Sequence, residues 1–290
     1  MTQTTVNPKE FVARPAFSES VLLSKDASFP MVTVVTPSYN QAEFLERTIL
    51  SVLNQNYPNL EYIIVDGGSK DGSVEIIKKY QKYLAYWVSE PDQGQSDAIN
   101  KGFSRSTGEI CAYLNSDDCY VPDALNHAIA AFRDPAADLV YGHAYVVDGR
   151  DRPYNIAVAL PFILKEHLFG LFSVPQPSSF WRRRVYDGVG GFNVDAKSCM
   201  DHEFYAKAGK MGFNFLRLDA VLSCFRMHPG SITMSGRLKE RARVEVERVI
   251  HLLGYSKFLP LYRLLNYSYR AKYVLAKIIY KVMFNLRGAV

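Results

Sequence analysis

The chain has 290 residues, 48% of them hydrophobic and 22% charged, with a formal net charge of +5. That much apolar material builds one large domain or two closely packed lobes and excludes a disordered chain. Seven basic residues, Lys257, Arg263, Arg270, Lys272, Lys277, Lys281 and Arg287, lie between Tyr255 and Val290 with no acid among them, so the rest of the chain is slightly acidic, which argues against a nucleic-acid binder.

No apolar run reaches the roughly 18 residues of a spanning helix. The polar start Met1-Thr2-Gln3-Thr4-Thr5 lacks a signal segment, so the expected compartment is the cytosol. Cys111, Cys119, Cys199 and Cys224 have no metal-type spacing and read as reduced, buried thiols.

Residues 1–28 show no sustained period and read as a loose N-terminal arm. Residues 29–150 then alternate strands with helices. Strands are expected over 31–36, 60–65, 84–88, 109–114 and 138–147, and helices over 43–53, 73–83, 96–103 and 122–132. Such alternation implies an α/β domain with a mostly parallel sheet covered on both faces. Ligands of these sheets bind beyond the carboxyl ends of the strands, and Thr36 to Tyr39, Asp66, and the pair Asp117-Asp118 all follow directly after strands. The dinucleotide pattern G-x-G-x-x-G after the first strand is absent, which argues against a nicotinamide oxidoreductase.

Residues 151–236 are less regular. Leu160 to Val174 is a buried helix or a flap, Gly188 to Phe192 is a turn, and 200–209 is a helix; this half is expected to build the acceptor side and carry the base. Residues 237–290 form a basic, aromatic helical tail. Within it Leu264, Ala271, Val274, Leu275, Ile278 and Val282 share an apolar face beside Arg263, Arg270, Lys277 and Lys281. Tyr262, Tyr269, Tyr273 and Tyr280 suit a lipid headgroup boundary, so the expected partner of this amphipathic helix is an anionic membrane surface; packing on the chain's own body or on a second subunit needs the same periodicity.

Four segments, Val34 to Asn40, Val65 to Ser73, Glu90 to Gly102 and Leu114 to Asp118, taken in this order, resemble the nucleotide-sugar-binding half of family 2 glycosyltransferases, which have the GT-A fold. The resemblance implies Pro37, Tyr39 and Asp66 around a base and ribose, with Asp66 accepting the N3–H of uracil or thymine. It also implies Asp92 and Asp97 in a loop over the diphosphate side, Asp117 against ribose and sugar, and Asp118 holding Mn²⁺ or Mg²⁺. Gly67-Gly68 and Asp71-Gly72 read as turn formers. In the second half, Met200-Asp201-His202-Glu203-Phe204 resembles the family's base helix and makes Asp201 the expected catalytic base, ahead of His202 and Glu203. The segment Phe225 to Thr233 resembles the one whose histidine, here His228, approaches the metal or diphosphate, with Arg226 beside it.

The implied activity is inverting, metal-dependent transfer from a UDP-sugar, or a dTDP-sugar, to a glycan or lipid-linked glycan in surface polysaccharide synthesis, by an enzyme peripheral on the cytoplasmic face of a membrane. Two rivals remain. A sugar-nucleotide pyrophosphorylase would want a Gly-rich basic loop after the first strand, which Thr36 to Asn40 does not supply. A catalytically inactive membrane-bound scaffold would not need Asp66, Asp118 and Asp201.

Overall fold

The computed structural model describes residues 12–169, 173–231, 234 and 239–286, so the readings on residues 1–11, on Ile232 and Thr233, and on Arg287 lie outside the described residues. The arm is not loose where it is described. A short helix, α1 (Glu19–Ser24), follows a segment in which Val12 is buried with Leu22, and the Ala16 amide donates to Asn54 Oδ1 at 2.8 Å. Phe17 packs edge-on against Tyr83 at 4.8 Å.

The first half folds as the alternation requires. Strands β1 (Val32–Ser38) and β2 (Leu60–Asp66) pair in parallel; between them runs α2 (Ala42–Leu53). Then come α3 (Ser73–Tyr80), β3 (Tyr86–Ser89) parallel to β2, α4 (Gln95–Ser104), and β4 (Ile110–Tyr113) parallel to β1. Successive strand residues point to opposite faces. Val34, Tyr62 and Ile64 therefore join the core under α2 and α3, whereas Val35, Ile63 and Val65 join the core under α4. The expected helix over 73–83 stops at Tyr80, and a single 3₁₀ turn carries the chain through Tyr83.

The second half is more regular than its sequence. After β5 (Cys119–Tyr120), α5 (Ala124–Ala131) and β6 (Leu139–Val147) come β7 (Pro153–Ala157), α6 (Leu164–Leu168), β8 (Ser179–Arg182), α7 (Arg183–Val189), α8 (Met200–Lys210) and β9 (Phe215–Arg226). The sheet has nine strands in the order β3-β2-β1-β4-β8-β6-β9-β5, with β7 also on β6. β8 is antiparallel to both β4 and β6, and β9 is parallel to β6, so β9 points its C-terminal end to the same edge as β1, β2 and β4. Gly142 sits where β6 slips register against β9, and a Cβ there would lie 2.5 Å from the Ala220 carbonyl oxygen.

The tail holds α9 (Lys239–Leu252) and α10 (Tyr262–Leu286), separated by a 3₁₀ segment containing Pro260. The tail tyrosines correct the headgroup expectation. Tyr269, Tyr273 and Tyr280 pack on the main core, and Tyr262 and Tyr269 on a smaller cluster with Leu168, Phe169 and Ile250. Among the described residues no helix is long and apolar enough to cross a membrane.

Candidate active site

Asp117 and Asp118 follow β4, and the structure separates their roles. Asp118 is 1% exposed; its Oδ1 accepts the Arg226 amide at 2.8 Å and its Oδ2 the Asn115 side-chain amide at 3.4 Å. Burial and the charge of Asp117 push its carboxyl well above the usual range, against the pull of Arg226. The Asp117 carboxylate instead points outward, with Oδ2 at 3.1 Å from His228 Nε2. Asp118, expected to anchor a cation, is thus bonded to the backbone of β9, and the more exposed carboxylate of the pair is Asp117.

Arg226, the last residue of β9, locks this arrangement. Its guanidinium is buried, donating to the Asp117 carbonyl at 2.6 Å and pairing with Asp151 at 2.5 Å, while lying 5.0 Å from the Phe44 ring centre. Phe44 also packs on the His228 ring at 4.5 Å. The Asp151 carboxylate is shared with Arg47 of α2. An open cleft of about 830 Å³ lies beside this cluster, lined by Tyr39, Phe44, Asp71, Asp148, His228 and Met234 among others, a volume suited to a small-molecule ligand.

On the nucleotide side, Tyr39 stands 63% exposed at the end of β1, just beyond buried Pro37. A Cβ at Gly67 would lie 2.8 Å from Asp92 Oδ2 and 3.2 Å from Tyr39 Cδ2, so Gly67 is needed for close approach, and Tyr39 and Asp92 flank it. Asp92 Oδ1 is taken by the Gly94 amide at 2.7 Å. Asp66, expected to face the base, is the last residue of β2. It is fully buried, and its carboxylate already accepts from the Gly68 and Ser69 amides and from the Ser69 and Ser89 hydroxyls. Three donors reach Oδ2 and one reaches Oδ1, so Asp66 shapes the Gly67 loop and keeps an acceptor direction on Oδ1. Asp97 is likewise local: Oδ2 accepts the Gln93 amide at 3.0 Å, closing the first turn of α4, and faces Lys101 at 3.5 Å. Asp71 does the same for α2 and α3, accepting the Ala42 amide at 2.9 Å and the Ser73 amide at 3.1 Å.

Asp201 lies in the first turn of α8. Its Oδ1 accepts the next amide, that of His202, at 2.8 Å, and its own main-chain amide also acts on the carboxylate. Burial raises its pKa, and the His202 amide only partly offsets this. The Tyr113 hydroxyl, buried at the end of β4, is held well above the phenol range by burial and then by Asp201, Tyr205 and Asp118, which puts α8 and the aspartate motif around one side chain. The alternatives are committed elsewhere. His202 is buried against His167, with ring centres 4.3 Å apart and each Nε2 on the other's carbonyl. Burial pushes the Glu203 carboxyl up, but Lys207, Asn193 and Arg248 outweigh it and hold it below its ordinary value.

Three polar residues of the site had no assigned role in the sequence reading. Asn115 bonds Gln95 of α4, and its amide reaches Gln176 Oε1 at 3.3 Å; Gln176 in turn donates to the Tyr113 carbonyl at 3.0 Å. The available signal for Gln176 was a polar residue between two prolines, Pro175 and Pro177, in an otherwise apolar stretch. As for a cation, no group of three or more His, Cys, Asp or Glu side chains among the described residues forms a closed cage. Asp117 and His228 nevertheless fit an open site, because Mg²⁺ and Mn²⁺ in phosphate chemistry take one or two protein ligands and complete their shell with phosphate oxygens and water.

Comparison with known proteins agrees with this architecture. The family model "Glycosyl transferase family 2" matches residues 33–190. An uncharacterised glycosyltransferase of Nostoc is 35% identical over 276 residues, covering 83% of this chain and 82% of its own. Chondroitin synthase of Pasteurella multocida is 24% identical over 251 residues, 83% of this chain but 24% of that protein. Among solved structures, S. aureus TarS with UDP-GlcNAc superposes with a TM-score of 0.62 at 22% identity, covering 77% of this chain and 66% of that one. The mannosyltransferase PcManGT of Pyrobaculum calidifontis, in complex with GDP-Man and Mn²⁺, gives 0.61 at 18% identity, covering 97% and 85%. With the GT-A architecture in the sheet and the family match spanning more than half of its length, the chain belongs to glycosyl transferase family 2.

Proposed function

We propose that the protein is an inverting transferase that moves a sugar from a UDP-sugar, or a dTDP-sugar, to a glycan or lipid-linked glycan of a surface polysaccharide. The observation that carries this reading is the pair Asp117 and His228, 3.1 Å apart, on the sheet edge that also presents Tyr39 and Asp92. Asp117 and His228 would hold Mn²⁺ or Mg²⁺. A bound cation supplies electrostatic stabilisation of the charge gathering on the departing diphosphate. Tyr39 offers a face for the base, and Asp201 takes the proton from the attacking acceptor hydroxyl, so that one in-line displacement inverts the anomeric centre.

Asp92, beside Tyr39, is a candidate acceptor for the N3–H that uracil and thymine present; the Gly94 amide takes one of the two lone-pair directions of its Oδ1. Asp92→Ala is therefore expected to weaken UDP by about tenfold or more, the worth of one hydrogen bond to a charged group. Asp66→Ala should instead weaken UDP and GDP alike and lower the thermal midpoint. Nucleotide affinities and melting curves of both variants check this, and a normal UDP affinity in Asp92→Ala removes it from the base pocket.

Chondroitin synthase and the UDP-GlcNAc complex of TarS support a polysaccharide setting and a UDP donor. The reading extends to a peripheral position on the cytoplasmic face of a membrane, where a lipid-linked acceptor would be found. It is tested by hydrolysis of UDP-, dTDP- and GDP-sugars with Mn²⁺ and with chelator. Metal-dependent release of UDP is expected; formation of nucleoside triphosphate from pyrophosphate would favour the pyrophosphorylase, and no turnover of any donor the inactive scaffold.

A further inference from the structure

We infer that the outer face of α10 is a bilayer-contact surface that lays this helix flat on an anionic membrane. The inference rests on the peripheral position proposed above, and its observations are independent of the transferase chemistry. The helix has two apolar faces, and the body uses only one. Tyr262, Leu265, Tyr269, Tyr273, Ala276 and Tyr280, spaced three or four apart, pack inward. The inner face is fastened at several points: the Tyr280 ring lies 4.3 Å from that of His143, Asn266 donates to the Phe169 carbonyl at 3.2 Å, and Lys272 pairs with Glu166 at 2.6 Å.

The other face is left to solvent. Leu264 is 68% exposed, Val274 54%, Leu275 59%, Ile278 54%, Ile279 51% and Val282 54%. A helix that needed only to close its own core would carry polar residues there, and a continuous aliphatic stripe of this kind marks a contact surface. Charge decides the occupant. From Tyr255 to Val290 the chain has seven basic residues and no acid, and Arg270 is exposed on the helix. Two copies meeting through this face about a two-fold axis would bring like-charged tails together, whereas anionic headgroups neutralise them. With Arg270 exposed in its middle, the helix meets a bilayer along its length.

The test is flotation of the full chain with vesicles of phosphatidylcholine alone and of phosphatidylcholine with about 30% phosphatidylglycerol, to supply the anionic surface. The full chain should float with the anionic vesicles, less with the neutral ones, and less at high salt. The double variant Leu275→Glu with Ile278→Glu alters only exposed positions and should bind anionic vesicles about tenfold more weakly or worse, while its melting curve and donor hydrolysis stay those of the parent. Three results overturn the proposal: no flotation of the parent, flotation of the variant equal to the parent, or a parent dimer by sedimentation that the variant dissociates without any vesicle binding, which gives the face to a second copy. Because donor hydrolysis is read separately, loss of the membrane inference leaves the transferase reading intact, and the reverse.

Discussion

Asp201→Asn is expected to lower kcat by about 10²- to 10⁴-fold while leaving UDP affinity nearly unchanged. The substitution keeps the shape of the side chain and the oxygen that accepts the His202 amide at 2.8 Å, so α8 retains its first turn. What it removes is the carboxylate proposed to take a proton from the acceptor. The raised pKa of Asp201 has a consequence of definite sign: a base must be deprotonated to act, so kcat/KM should fall on the acid side at a pH above that of an ordinary aspartate. In Asp201→Asn that limb should vanish with the activity. Single-turnover assays and a pH profile decide it, and turnover near that of the parent would move the base elsewhere.

The second large effect separates neighbours. Asp117→Ala should abolish the tightening of UDP binding by Mn²⁺, measured by calorimetry with metal and with chelator, and should leave the melting midpoint close to that of the parent. Asp118→Ala should do the opposite first: it strips the Arg226 amide and the Asn115 side chain of their acceptor, and a buried donor left unpaired costs about 1–3 kcal/mol of stability. If Asp118→Ala loses the metal effect while melting normally, and Asp117→Ala keeps it, the exchange of roles drawn from the side-chain directions is wrong.

How far the sequence could be read depended on whether the deciding forces were local. The βα alternation up to Tyr113 was legible because strand and helix periods are written into short windows, as in Val32 to Ser38 and Ala42 to Leu53. The convergence of Tyr39, Asp66 and the Asp pair was legible for the related reason that polar residues following parallel strands collect on one edge. Partners far along the chain were not legible. Which of Asp117 and Asp118 turns inward is set by the amide of Arg226, and Asp66 accepts from the hydroxyl of Ser89 on β3. β9 escaped notice because its first half is only partly buried and its pairing with β6 is interrupted by register shifts. The tail's period was plain, yet period alone does not say which of two apolar faces is used; the ring of His143 beside Tyr280 does.

The Arg226 lock also fixes an order of events during synthesis. The parallel unit of β1, β2 and β4 needs only residues already made by Tyr113, whereas the hydrogen bond from the Arg226 amide to Asp118 spans 108 positions of sequence. A ribosome adding roughly 5–20 residues per second exposes the nascent aspartate motif for several seconds before β9 emerges to close it. During that interval Asp118 has no main-chain partner from β9, and the wall that carries His228 does not yet exist. The unit that carries Tyr39 and Asp66 is thus assembled early and the wall that carries His228 late, so that slow translation between these points would prolong a state with an exposed strand edge, which is open to misassociation.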